Sequence, residues 1–258
     1  MNKSAKLAEL RHSLARYGLP PDRPPLALGH AQADAVLGGG LRLGALHEVF
    51  VTGWSAGGFA ATLTIRAAKK SFGGKGGPLF WVRPDYEALE YGAVSPEGLL
   101  ELGGDPRQLI QVRTRKTADA LSAASDILAC PHVGALLLEI EGMPKCLDLV
   151  ASRRLAFAAG ESGVTVILLR GGAEAEPSAA LTRWQVKSAP SRSDDDAPDD
   201  DWGNPIFDAR LIRHRLGGLG HFLMQWNPQH ACFDTPDIGA VVAAPADRPA
   251  YAQERRAV

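Results

Sequence analysis

The rhythm of hydrophobic and polar positions changes twice along the chain. Over residues 4–17, Leu7, Leu10, Leu14 and Tyr17 recur at i, i+3, i+7 and i+10 among Lys6, Arg11 and Arg16, which predicts an amphipathic helix ended by Gly18 and Pro20. Pro20, Pro21, Pro24 and Pro25 then read as an extended arm. From Leu26 onward short apolar runs alternate with helical patterns. Strands are predicted at 45–51, 78–82, 109–112, 133–140 and 163–170, and helices at 60–70, 117–128 and 146–159. Thr117 is the expected cap of the second of these helices, with Asp119 in its first turn. Runs such as Val133 to Ile140 are apolar without alternation, as in strands buried on both faces of a parallel sheet. The order predicts an α/β fold with a parallel sheet flanked by helices.

The second change comes at residues 188–204, where serines, prolines and aspartates are too polar to pack and predict a solvated loop. Two further strands, 207–215 and 220–226, are joined by Leu216-Gly217-Gly218-Leu219 as a β-hairpin. Three regions are expected: a helical arm over 1–25, one core over 26–230 that includes the acidic loop and the hairpin, and a tail over 231–258.

Composition narrows this picture only modestly. An apolar fraction of 45% and a charged fraction of 22% are ordinary for a globular chain. The net charge is −1, and Asp194, Asp195, Asp196, Asp199, Asp200 and Asp201 carry −6 of it, so the remainder stands at +5. Cys130, Cys146 and Cys232 form no C-x-x-C pair, so no metal is expected, and Cys130 is expected as a buried thiol beside a loop histidine, His132. Neither a signal-peptide pattern nor a run of membrane-spanning length occurs, and a cytoplasmic location is expected.

The candidate chemistry lies in Val51-Thr52-Gly53-Trp54-Ser55-Ala56-Gly57-Gly58-Phe59-Ala60. Gly53 and Gly58 keep the spacing of the G-x-x-x-x-G-K-[ST] phosphate loop, between a strand and a helix. Phe59 stands where that motif has lysine, and Ala60 where it has the magnesium-binding hydroxyl. Gly53, Gly57 and Gly58, together with Glu139, are therefore candidates for a vestigial nucleotide site, with Phe59 and Trp54 expected to fill the space of a triphosphate. Glu139, at the end of a predicted strand, is either a metal-holding carboxylate or a satisfied polar residue. Asp85 or Glu87 could polarise a water. Arg170 is expected to point into the same cleft and to pair with Glu139 or Asp85, or to meet a phosphate. Arg210, Arg213, His214 and Arg215 form one basic cluster, and Arg113, Arg115 and Lys116 another, either solvated or facing DNA backbone. No Ser-His-Asp pattern or H-E-x-x-H occurs.

The segment Leu37-Gly38-Gly39-Gly40-Leu41-Arg42-Leu43-Gly44-Ala45-Leu46-His47-Glu48, followed by the glycine loop, resembles the approach to the phosphate loop in the RecA-like superfamily. The likeness extends from about Leu26 to Trp226. More narrowly, the chain resembles the ImuA family of RecA/SulA-like mutagenesis accessory proteins. The strand end Leu168-Leu169-Arg170-Gly171 departs from the asparagine-glutamine pair of RecA. The resemblance implies a RecA-like fold and a DNA-damage-induced, non-catalytic role in translesion synthesis and induced mutagenesis. ImuB is the implied partner, with an error-prone replicative polymerase reached indirectly, DNA contacted weakly or through partners, and the nucleoid as the place of action. No resident cofactor is implied. Contact with RecA or self-association would suit Leu7, Leu10, Leu14 and Tyr17, and Arg210, Arg213 and Arg215 are candidates for a partner surface. Two alternatives stand beside this reading: an ATP-binding or ATP-hydrolysing repair protein with a lysine supplied by Lys69, Lys70 or a neighbouring protomer, and a SulA-like inhibitor of cell division.

Overall fold

A computed structural model describes residues 23–191 and 203–236. The helix expected over 4–17, the aspartate run and the end of the tail lie outside the described residues. Among them, strand β1 (Leu46–Val51) enters the glycine loop and helix α2 (Gly57–Gly74) leaves it, after the short helix α1 (Ala31–Val36). There follow β2 (Leu79–Pro84), α3 (Asp85–Tyr91), α4 (Pro96–Glu101), β3 (Leu109–Thr114), α5 (Thr117–Ala129), β4 (Ala135–Glu141), α6 (Leu149–Ser162) and β5 (Thr165–Gly171). Then β6 (Thr182–Ala189), β7 (Ile206–His214), β8 (Gly220–Asn227) and β9 (Cys232–Asp234) complete the series.

All nine strands form one sheet in the order β3-β2-β4-β5-β1-β6-β7-β8-β9. Pairings from β3 to β6 are parallel, and those from β6 to β9 are antiparallel. Every residue of β1 and of β5 is buried, the polar His47, Glu48, Thr165 and Arg170 included. Because side chains alternate across the pleat, each central strand feeds two cores. One, with Val49, Leu137, Ile167 and Trp184, lies under α2; the other, with Leu46, Leu136, Leu138 and Leu168, lies under α5 and α6.

Glycine is required on the approach to β1. The chain from Leu26 bridges Leu41 by two backbone hydrogen bonds of 2.8 Å, and a Cβ on Gly40, which sits at φ +131°, would stand 2.2 Å from the Leu26 carbonyl oxygen. This is the physical content of the Leu-Gly-Gly-Gly-Leu run. Arg66 of α2 donates to the carbonyls of Ala27 and Leu28 at 2.6 and 2.7 Å and holds the same segment against the core.

Some elements differ from expectation. Lys116 and not Thr117 stands at the start of α5, without a side-chain cap, while Asp148 caps α6 by accepting from the Ala151 N–H at 2.8 Å. Strand β6 joins the parallel core to the hairpin, a link that the pattern does not announce. The first residues expected as tail form β9, whose Phe233 is fully buried. Cys130 and Cys146 are exposed, so the buried thiol expected at Cys130 is corrected.

Candidate functional site: a glycine loop beside an occupied carboxylate

The glycine loop closes through a short 3-10 turn, Trp54–Ala56, in which the Ala56 N–H donates to the Gly53 carbonyl at 3.0 Å. No side chain caps the first N–H groups of α2. The Ser188 hydroxyl donates to Ser55 Oγ at 2.8 Å, tying the loop to the end of β6. Gly53, Gly57 and Gly58 all lie outside the left-handed region, and a Cβ on Gly53 would meet nothing nearer than Ser55 Oγ at 3.9 Å. Their bare backbone answers no need of the turn itself. What it does is leave the start of α2 open on one side.

Phe59 does not fill that opening. Its side chain is fully buried on the far side of α2, with its ring 5.4 Å from Phe233 and 5.7 Å from both Trp184 and Phe207. Phe59 and Leu63, one turn apart, face the same core. The expectation that Phe59 refills a triphosphate space is therefore corrected: Phe59 is a core aromatic turned away from the opening. The side chain of Trp54 lies outside the described residues.

Ser55, Gly57 and Gly58 share a 530 Å³ cleft with Trp81, Arg83 and Glu139. Gly53 is not among the lining residues. Parity explains who meets whom. Trp81 of β2 stands opposite Leu137 of β4, so Arg83 and Glu139, each two residues further, share a face. Arg83 Nη2 donates to Glu139 Oε1 at 2.8 Å, and the Trp81 indole N–H donates to Glu139 Oε2 at 2.7 Å. The pair is almost wholly buried, with side chains 5% and 2% exposed. Arg83 Nη1 also donates to the Gly92 carbonyl at 2.9 Å, which draws the segment after α3 over the cleft. Here Val94, Leu99 and Leu102 make much of the wall apolar.

Arg170 is elsewhere. It stands across from Ile140, and its neighbour Leu169 stands across from Glu139, so Arg170 lies on the opposite face of the sheet from the cleft. Its Nη2 donates to the Gly142 carbonyl at 2.7 Å and its guanidinium carbon is 5.7 Å from the Phe50 ring centre. Burial lowers its pKa, against the opposing attraction of Glu48. On that face Glu48 and Arg183 form a second buried pair at 2.8 Å. Arg183 also donates to the Glu176 carbonyl. Asp85 pairs with Arg113 at 2.9 Å on the exposed surface, and Glu87's side chain lies outside the described residues. The expected pairing of Arg170 with Glu139 or Asp85 is thus replaced by three separate pairs.

The basic cluster on the hairpin is divided as well. Arg213 and Arg215 reach the carbonyls of Ser178 and Ala179 at 3.2 and 3.5 Å and border the loop between β5 and β6, whereas Arg210 is exposed on the open face, opposite Gln185 and His221. Lys69 and Lys70 lie near the far end of α2, about 16 Å along the helix axis from the glycine loop, too far for either ammonium to replace a loop lysine in the same chain. Among the described residues no cluster of three or more His, Cys, Asp or Glu could hold a metal, and no helix is long and apolar enough to cross a membrane.

With this geometry in place, comparison with known proteins is decisive. The chain is 35% identical over 216 residues to Protein ImuA of Caulobacter vibrioides strain NA1000 / CB15N, a match covering 78% of this chain and 83% of the relative. Protein ImuA of Caulobacter vibrioides strain ATCC 19089 / CIP 103742 / CB 15 matches to the same extent. The chain belongs to the ImuA family. No protein-family profile matches it. Among solved structures, the RadB recombinase superposes with a TM-score of 0.53 at 14% identity, over 82% of this chain and 100% of that one, which shows a RecA-like fold.

Within this ImuA-family chain, sequence reasoning missed the groups that engage the carboxylate, Arg83 and Trp81. It also missed His47, which is buried between Thr182 Oγ1 at 2.7 Å and the Arg42 carbonyl at 2.8 Å. Burial lowers the His47 pKa from 6.5 to about 4, against the raising effect of the Arg42 bond, so the ring is neutral at pH 7. The tautomer that donates from Nε2 to Arg42 and accepts at Nδ1 from Thr182 satisfies both contacts.

Proposed function

We propose that this chain serves as a non-catalytic RecA-like accessory protein of a DNA-damage-induced translesion synthesis complex, acting through protein contacts with ImuB. The reading rests on the state of the glycine loop: the position of the phosphate-binding lysine is a phenylalanine built into the core, and Glu139, the carboxylate of the adjoining cleft, is bonded to Arg83 and Trp81. A triphosphate there would meet backbone N–H groups without the lysine and metal shell that neutralise its charge. Membership of the ImuA family supports the accessory role. The role requires no hydrolysis, and in this reading the fold is kept as a platform for partners. DNA is reached through those partners.

The test is a titration of the purified chain with fluorescent ATP and magnesium, with and without single-stranded DNA, beside co-purification with ImuB. Expected are no saturable binding at millimolar nucleotide and a stable complex with ImuB. Micromolar nucleotide binding with turnover would overturn the non-catalytic reading, and failure to form the complex would overturn the partner.

A further inference from the structure

A cavity of 1150 Å³ lies at the end of the sheet opposite the glycine loop. Its walls are the last turns of α2, α5 and α6 together with the chain entering β4 and β5. Leu43, Leu128, Val133, Phe72 and Phe157 supply its apolar surface. At this volume the groove exceeds the usual range of small-molecule sites, about 300–1,000 Å³, and suits a row of side chains.

Two features set the groove apart from an incidental gap. Phe72 interrupts α2 with a left-handed backbone, φ +50° and ψ +42°, a conformation that costs a bulky residue and needs a compensating contact. It holds the ring against Gly77, where a Cβ would come within 2.4 Å of it, and 6.2 Å from the His132 ring. Nevertheless Phe72 remains 44% exposed, and Phe157 across the groove 36%. Second, the described chain begins inside this groove. Arg23, Pro24 and Pro25 form part of its wall, and Arg23 Nη1 donates to the Gly163 carbonyl at 3.0 Å.

We propose that the groove is the seat of the chain's own residues 4–17, with Leu7, Leu10, Leu14 and Tyr17 facing Phe72 and Phe157. The reasons are covalent distance and pattern. Only Gly18 to Asp22 separate Tyr17 from Arg23, a span of at most about 22 Å when extended. So short a tether holds the apolar stripe at an effective concentration in the millimolar range, far above that of a second copy at micromolar protein. The segment carries four large apolar side chains at helical spacing, and the groove offers two half-exposed aromatic rings where the tether ends.

Cys130 lines the groove and is exposed, which makes it a reporter. In the full chain with Cys146→Ser and Cys232→Ala, Ser13→Cys is added and a short bis-maleimide applied. The expected product is a cross-link within one chain, exceeding the dimer by roughly a hundredfold or more at micromolar protein. A cross-link formed mainly between chains would assign the groove to a second copy's segment and overturn the proposal. Absence of any cross-link would overturn it too. A mutant cycle gives an independent readout: Leu10→Glu and Phe157→Glu should each lower the melting temperature, and the double variant should fall no further than the worse single. Additive losses would show that the two residues do not meet.

Discussion

The two faces of the sheet, compared at the carboxyl ends of its strands, treat the same kind of residue differently. On the α2 face, Arg83, Trp81 and Glu139 form a pair with an indole donor, beside a 530 Å³ cleft. On the α6 face, Glu48 and Arg183 pair with Arg170 close by, beneath the loop of residues 172–181 that Arg183 and Arg213 help to fasten. Both faces hold buried charges, and both pair them internally. Beside the Arg83–Glu139 pair lies open volume, whereas Arg183 is bound to the carbonyl of Glu176 in the covering loop. A buried pair is weak evidence of net stability, but removing one partner leaves a charge that the interior cannot hydrate. How much that costs depends on access to water, which is where the faces differ.

Glu48→Ala should therefore have the largest effect. It strands Arg183 with Arg170 nearby in a closed region, at a cost of about 5 kcal/mol measured by urea unfolding. A loss below about 2 kcal/mol would mean that water already reaches this face. Glu139→Ala should cost less, about 3 kcal/mol, because Arg83 can be rehydrated from the cleft. Hydrogen exchange around Gly92 should also quicken, since Arg83 holds that carbonyl. If the two alanine variants prove equally unstable, the cleft is dry and the contrast between faces fails.

His47 sharpens the comparison by pH. Its pKa falls from 6.5 unfolded to about 4 folded, so the unfolded chain binds the extra proton between these values. The stability it contributes is whole above pH 6.5 and is lost as pH falls towards 4, about 3 kcal/mol in all. Unfolding of the wild type and of His47→Asn across that window should show the steeper slope in the wild type; parallel curves would refute the assignment. The smallest effect belongs to Arg213→Ala, about 0.5 kcal/mol for an exposed side chain. Its signature is local, faster exchange near Ser178 with the proposed ImuB binding unchanged, and a clear loss of that binding would place Arg213 on the partner surface.

How far the sequence foretold this depends on the element. The central strands β4 and β5 were legible because strands buried on both faces are written as near-continuous apolar runs, and β1 because it leads into the glycine loop. Strand β6 was not, since its buried residues include Thr182 and Arg183, polar groups whose partners His47 and Glu48 lie more than 130 residues away. Three-residue β9 is too short to show a period. At the site, the glycine loop and Glu139 could be found from spacing, but the partner of Glu139 depends on the register of β2 against β4, which no local pattern encodes. The direction of Phe59 was within reach: Phe59 and Leu63 are one helical turn apart, which aligns Phe59 with the core stripe of α2.

The place of β1 has a consequence for how the chain is made. Its two neighbours in the sheet are β5 and β6, so it stays unpaired on both edges until residues beyond Thr165 have been synthesised. At about 5–20 residues per second, the 114 residues between Val51 and Thr165 leave β1 waiting roughly 6–23 s on the ribosome. The first strand of the sheet to be made is thus sheltered on both edges only after β5 and β6 have followed it.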